Sequence, residues 1–402
     1  MTAFLELVLI LTIIILGAKL AGFLVSKINM PMVVGEITFG LLLGPSLIGF
    51  LEMPFFHHPE LMGETVHLLA ELGVLLLMFL AGMETDLDGM RRVGVPALNS
   101  AIGGVILPFL GGWLLGIMAG MPMNEAIFVG TILTATSVSI SAQTLIELGR
   151  LRSKEGMTIL GAAVIDDVIG ILMLSVVVAI FSSAGEVPPP LWLVALKMVV
   201  YFAVALILAP AARWLAKAFS RLPVSEPLLA GALVITFIYA WSAEYLGGVA
   251  AITGAYLAGI ILAQSDIKHE LEEKAKVIVY SLFVPVFFVD IGLRADLREA
   301  LTGPSLWLGI GIVLVAIFGK VIGSGIGALL SRFSFKEALR VGSGMVSRGE
   351  VGLIVAGIGI ERKVISPEIF SLMVLMVVAT TLVTPILLRL SFGGEASGET
   401  EL

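Results

Sequence analysis

Two adjacent acids, Asp166 and Asp167, stand in "GAAVIDDVIGIL", inside an almost wholly apolar run. A charge at a bilayer centre costs at least ~2.5–3.5 kcal/mol, so an acid kept there is a functional residue by default. Two further runs carry buried-looking charge. Lys320 sits midway along "LWLGIGIVLVAIFGKVIGSGIGALL", with no acid near it in sequence, and Arg348 and Glu350 flank Gly349 in "RVGSGMVSRGEVG". A carboxylate facing a water-filled cavity takes either a proton or a metal cation. Competition between the two at one acid is the minimum chemistry of an antiporter. The natural pairing is Lys320 with one aspartate, which leaves the other to exchange. With two acids and one lysine the protonations are coupled. At ~100° per residue on a helix the two acids point in different directions, so they are expected to have different partners.

These residues need a scaffold, and composition says which kind. The 402 residues are 58% hydrophobic and 14% charged, with mean hydropathy +1.07; soluble domains are ~25% charged. The reading is an all-α polytopic membrane protein. A formal charge of −7 suggests no nucleic-acid partner, and the absence of cysteine removes disulfides and thiolate chemistry. The N-terminal run lacks a basic region and a cleavage site, so it reads as a retained span rather than a signal peptide. No Ser-His-Asp order, phosphate loop or zinc spacing falls where it could hydrolyse anything, so an enzyme is not expected, nor a cofactor.

Cutting the apolar stretches at charged, Pro-rich and Gly-rich segments yields thirteen spans. The second (32–50) and ninth (249–264) are short; the fifth covers 124–148, the sixth 157–182, the seventh 190–217, the eleventh 304–331 and the twelfth 336–360. With the N-terminus outside, most Lys and Arg fall in inner loops, among them Arg91, Arg92, Arg150, Arg152, Lys154, Arg332, Lys336 and Arg340. The outer loops hold Arg294, Arg298, Arg362 and Lys363. That bias obeys the positive-inside rule and places the C-terminal tail inside, where it is expected to be disordered.

The third span ends "GMETDL" and the tenth "GLRADL"; Gly35 and Gly40 of the second match Gly254 and Gly259 of the ninth. Both pairs are seven spans apart, an odd number, so the copies face opposite ways. This predicts an inverted-topology repeat of two six-helix units, spans 1–6 and 8–13, joined by span 7. In such repeats the site lies at interrupted helices near the midplane. The fifth span's "LTATSVSISAQ" has weak helix propensity, and its repeat partner, the twelfth, holds Gly342, Gly344, Gly349 and Gly352. Both are expected to be broken helices, which expose carbonyls and opposing dipole ends to a cation.

Glu36, in "GEITFG", lines a funnel or makes a structural bond. Asp290 and Glu244 lie near outer ends and are expected to reach solvent. His57, His58, His67 and His269 fall in loops or at span edges, and His57-His58 is expected to be a solvated loop rather than a metal site.

The motifs "TATSVSISAQTLIELG", "AAVIDDVIG", the lysine of span eleven and "SRGEVGLIVAGIG" together resemble the monovalent cation:proton antiporter-2 family. Within it they resemble the NapA-type bacterial sodium/proton antiporters. The resemblance extends from "PMVVGEITFGLLLGP" to the last span. It implies the NhaA/NapA-like fold with two broken crossing helices, and a homodimer in the bacterial inner membrane. Residues 1–94 and 223–300 would form the dimerisation domain, 95–185 and 301–391 the core, 186–222 the linker, and 392–402 the tail. Asp167 matches the family's cation- and proton-binding aspartate, and Asp166 the acid that pairs with the core lysine, here Lys320. Thr136 and Ser137 match polar residues at the first crossing, with Thr134 beside them, and Arg348 and Glu350 match the charged pair of the second. The core would move like an elevator. The Asp-Asp form is associated with electrogenic Na⁺ (or Li⁺) exchange for H⁺ and with pH homeostasis. The family's potassium-efflux members carry a nucleotide-binding domain that these 402 residues do not include. K⁺/H⁺ exchange by the same residues, a cation channel and a sodium-coupled organic-anion symporter are the alternatives.

Overall fold

The computed structural model describes residues 2–393 except 28, 29, 31, 46, 55, 86, 182–190, 249, 297 and 299–302. Asp86 and Leu297 of the repeated motifs, the start of the expected linker and the tail from 394 lie outside the described residues, as does the side chain of Glu350. The helices are α1 (Ala3–Ser26), α2 (Met32–Leu43), α3 (Pro59–Glu84), α4 (Leu87–Met118), α5 (Met123–Ile132), α6 (Val138–Glu147), α7 (Lys154–Phe181), α8 (Leu191–Ile207) and α9 (Ala209–Phe219). They continue as α10 (Pro227–Ser242), α11 (Ala251–Ala263), α12 (Lys268–Ile278), α13 (Val284–Arg294), α14 (Gly303–Leu330), α15 (Phe335–Gly344), α16 (Glu350–Glu361) and α17 (Pro367–Phe392).

Among the described residues eight helices are long and apolar enough to cross a membrane, or nine if α8 and α9 count as one. The seventh stretch, read as one span, bends by 45° there. Pro210 is the cause: its ring cannot follow a continuing helix, so the chain restarts with proline in the first turn. The second stretch, read as reaching residue 50, is helical only through Leu43, because Gly44 and Pro45 turn the chain. Other ends are set by caps. Ser334 and Glu337 form a reciprocal capping box at the start of α15, and Ser366 accepts from the Ile369 amide with Pro367 in the first turn of α17.

The chain divides into two compact units. The first comprises Met1–Leu24, Gly35–Thr85 and Leu174–Arg294. Helix α1 shows its logic: Glu6, Ile10, Ile14, Ala18 and Gly22 are buried at four-residue spacing, while Leu16, Leu20, Phe23 and Leu24 are exposed. An apolar outer face on a helix with a buried stripe is what lipid contact requires. Within this unit α3 and α11 cross where Gly82 and Gly259 bring the backbones together; a Cβ at either would strike a carbonyl of the other helix.

The second unit comprises Val25–Val34, Asp86–Met173 and Ala295–Leu402. Its apolar core joins Ala97 and Ala101 of α4, Leu145 of α6, Ile159, Ala162 and Ala163 of α7, Ala328 of α14, Val341 and Met345 at the end of α15, and Leu388 and Phe392 of α17. Small residues let these helices approach closely. At the centre of the α4–α14 crossing Gly103 and Gly323 face each other, each with the position of a Cβ occupied by the other's carbonyl oxygen. Asp166, Asp167, Lys320, Arg348 and Glu350 all belong to this unit.

Candidate functional site

Helix α5 stops at Ile132 and α6 begins at Val138; α15 stops at Gly344 and α16 begins at Glu350. The two interruptions meet. The Ser137 amide donates to the Ser347 carbonyl at 2.9 Å, and the Ser347 hydroxyl donates to the Ser137 carbonyl at 2.7 Å. Ser141 Oγ donates to the Gly344 carbonyl at 2.5 Å and lies 3.0 Å from Ser347 Oγ. The backbone groups released by the interruption of each helix are thus partly satisfied by the other.

Arg348 satisfies more of them. Its side chain is fully buried. Nη2 donates to the carbonyls of Leu133 at 2.8 Å and Ala316 at 3.1 Å, and Nη1 to that of Val346 at 2.6 Å. Leu133 follows the last turn of α5, and Val346 the last turn of α15. Carbonyls at helix C-termini carry partial negative charge, so one guanidinium neutralises two helix ends. Thr381 of α17 donates to the Arg348 carbonyl at 2.7 Å and holds the turn from outside. Among the described residues Arg348 is therefore bonded to carbonyls.

Lys320 and Asp166 form a salt bridge with both side chains withdrawn from solvent. The Thr136 hydroxyl donates to the same carboxylate oxygen, Oδ2, at 2.5 Å. Thr136 lies within the first interruption, so the fully helical α7 and α14 are tied to the crossing through one oxygen. Asp167 is half-buried where Asp166 is buried. Adjacent residues on a helix face different ways: the Asp166 carboxylate is locked in a pair, while Asp167, partly exposed as a residue, still buries its Oδ1. Asp166 Oδ1 and Ser137 Oγ are buried and have no hydrogen-bond partner among the described residues. Both are hard oxygen atoms of the kind a small alkali cation takes as ligands. Orphaned buried acceptors in a native fold call for a ligand, an ion or water.

The remaining candidates separate. Thr134 donates to the Thr131 carbonyl at 2.8 Å, ending the helix there. Glu350 opens α16. Glu36 belongs to the first unit, where its Oε1 is 3.5 Å from Lys19 Nζ. Asp290, expected to reach solvent, is buried in that unit, 3.1 Å from His67 Nδ1. His67, expected at a span edge, lies well inside α3. His57 and His58 are exposed but tied, their backbone amides donating to the fully buried Glu6 at 3.1 and 3.2 Å. Arg340, read as a loop residue, is buried against Glu155 at 2.9 Å. Sequence reasoning missed Glu6, Glu155, Ser141, Ser347 and Thr381. Only the hydroxyl-rich run around Ser141 carried a signal.

These features define an all-α polytopic membrane protein with two interrupted helices meeting around buried charges. Residues 10–391 match the transmembrane region of the sodium/hydrogen exchangers. The chain belongs to that family, whose members are antiporters and not enzymes. It is 40% identical over 390 residues to the Na⁺/H⁺-K⁺ antiporter GerN of Bacillus cereus, with 96% of each chain covered. It is 36% identical over 387 residues to a Na⁺/H⁺ antiporter of Enterococcus hirae, covering 96% of this chain and 97% of the relative. The sodium proton antiporter MjNhaP1 of Methanocaldococcus jannaschii shares the fold, with a TM-score of 0.71 at 18% identity and 98% of each chain covered.

Proposed function

We propose that this protein is an electrogenic antiporter that expels Na⁺, and also Li⁺, in exchange for H⁺. The observation that carries the reading is the unequal burial of the two aspartates. Asp166 is withdrawn from solvent and paired with Lys320, while Asp167, the next residue, is half-buried. Asp167 binds the cation or the proton. Thr136 and Ser137 contribute oxygen ligands, and Arg348 holds the two interruptions in register, with Glu350 beside it as a supporting charge. The Asp166–Lys320 pair changes its protonation in step with Asp167. Thr134 supplies a further hydroxyl at the first interruption, and Glu36 lines the approach to the site.

The scaffold we infer has thirteen spans in an inverted repeat, with the N-terminus outside and the C-terminus inside a bacterial cytoplasmic membrane. Residues 1–94 and 223–300 make the homodimer contact, and residues 95–185 and 301–391 carry the site past them in an elevator motion, with 186–222 as the linker. Exchange of this kind serves pH homeostasis. A second reading, K⁺/H⁺ exchange at the same residues, is favoured by the name of the Bacillus cereus relative, which includes potassium.

Proteoliposomes with an imposed pH gradient decide between the two. Collapse of the gradient on adding Na⁺ or Li⁺ chloride is the expected outcome. Collapse with K⁺ alone selects the second reading, and a gradient indifferent to all three cations refutes both.

A further inference from the structure

In the first compact unit Lys19 of α1 meets Glu36 of α2 and the carbonyl of Tyr280. Its Nζ lies 3.5 Å from Glu36 Oε1 and donates to the Tyr280 carbonyl at 2.9 Å. A charge-assisted bond between ammonium and carboxylate is ordinarily ~2.7–2.9 Å. The ammonium therefore sits close to the carbonyl and loosely against the acid. The second carboxylate oxygen, Glu36 Oε2, is buried with no hydrogen-bond partner among the described residues. Lys19 is also the one charged group among them in electrostatic reach of Glu36. The two side chains differ in exposure, 5% for Glu36 and 47% for Lys19. The acid is fixed inside the unit, and its partner reaches it from the surface.

Two local features build this arrangement. Gly35 lets α2 lie against α1: a Cβ there would strike the Ala21 carbonyl at 2.5 Å, and Glu36 is the next residue. Between α12 and α13 the segment Val279–Phe283 is a π-helix, in which the Val284 amide donates to the Val279 carbonyl five residues back. In that register the donor for the Tyr280 carbonyl would be residue 285. It is Pro285, which has no N–H. The π turn and the proline together deny this carbonyl a helical donor, and the ammonium bonds to it. Single π turns of this kind are frequent at functional sites.

We propose that the Glu36 carboxylate and the Tyr280 carbonyl form a binding seat for a monovalent alkali cation about the size of an ammonium ion, K⁺ or Rb⁺, which Lys19 fills as a tethered substitute when the ion is away. A carboxylate and a backbone carbonyl are oxygen ligands that hard cations take. An ammonium donates along three fixed directions and here leaves Oε2 unmet. A bare cation has no such directions and engages both carboxylate oxygens together with the carbonyl. Occupancy leaves the local charge unchanged, because one positive charge replaces another. The displaced Lys19 side chain regains rotamer freedom. It lies about two turns from the end of α1, near enough for its ammonium to snorkel to the membrane interface. The seat belongs to the first unit and Asp167 to the second. It gives Glu36 a cation of its own, and it stands whether or not the chain exchanges cations for protons.

Equilibrium binding of radioactive Rb⁺ to the purified full chain, with choline as the balancing cation, tests the seat. Asp167→Asn is the background throughout, so that the proposed exchange site does not contribute. Lys19→Met removes the internal competitor. Rb⁺ is then expected to bind at least about tenfold more tightly than to the parent, because the competent fraction of seats rises. Adding Glu36→Gln to Lys19→Met is expected to abolish that binding. Unchanged affinity in Lys19→Met, or tight binding that survives Glu36→Gln, would overturn the seat. A second measurement needs no substitution. In wild-type protein, acetylation of Lys19 by acetic anhydride is followed by peptide mass spectrometry, with the exposed Lys336 as reference. Replacing choline by Rb⁺ is expected to speed it at least about threefold relative to Lys336, because the ion frees the ammonium. A Lys19 rate indifferent to Rb⁺ would overturn the displacement, even if Lys19→Met failed to fold.

Discussion

Lys320 and Asp166, 154 residues apart in sequence, close a fully buried ion pair on the carboxylate oxygen that also accepts the Thr136 hydroxyl. Removing one member of a buried pair strands the other charge and costs about 3–5 kcal/mol, whereas replacing both with apolar groups is often neutral. Lys320→Met and Asp166→Leu should therefore each lower the thermal midpoint strongly, and the double variant should regain more than half of the loss. Additive losses, measured by thermal unfolding in detergent, would contradict the pairing.

Arg348 should tolerate no lysine. Arg348→Lys keeps the charge but loses the planar fork that reaches Leu133, Ala316 and Val346 together. Losing two charge-assisted hydrogen bonds, at about 1.5–3 kcal/mol each, makes the variant less stable and inactive in exchange. A wild-type thermal midpoint for Arg348→Lys would show that the carbonyls at the crossing do not need the fork.

Gly103 and Gly323 set how closely α4 approaches α14. Gly103→Val places a branched side chain where the Gly323 carbonyl lies. The helices must separate, which pulls on Lys320 one turn away. The expected result is reduced expression of folded protein and loss of exchange, scored by gel filtration and flux; a monodisperse, fully active variant would argue that the crossing can open at no cost.

If the protons exchanged outnumber the cations, a voltage should drive transport. Clamping the membrane potential with K⁺ and valinomycin is expected to change the rate of Na⁺-driven proton flux. A rate independent of potential would make the exchange electroneutral and reassign the role of Lys320.

Much of this was legible before any coordinates. Adjacent acids in an apolar run, a lysine alone in another and a glycine-rich stretch with an arginine are conspicuous because lipid offers charge no solvation. The hydroxyl-rich and glycine-rich segments read as weak helix, and the chain does interrupt itself there, at 133–137 and 345–349. Partners were not legible where they depend on which turns of two distant helices meet. Nothing in the sequence showed that the Arg348 guanidinium would meet the carbonyls at the ends of two broken helices. Arg340 read as a loop charge, and Glu155, 185 residues away, carried no signal; only packing buries them together. Asp290 looked close enough to an end to reach water, but His67 on another helix covers it. The bend at Leu208 had its cause in plain view at Pro210, hidden because the apolar run continues through it.

Asp167 is the residue we propose to carry the exchange. The most direct test compares wild-type protein with Asp167→Asn, each reconstituted at equal density in vesicles with an imposed pH gradient, and follows lumenal pH after Na⁺ is added. The expected result is rapid collapse for the wild type and none for the variant, with both proteins equally folded and inserted. Normal exchange by Asp167→Asn would contradict the assignment and move the site elsewhere in the second unit.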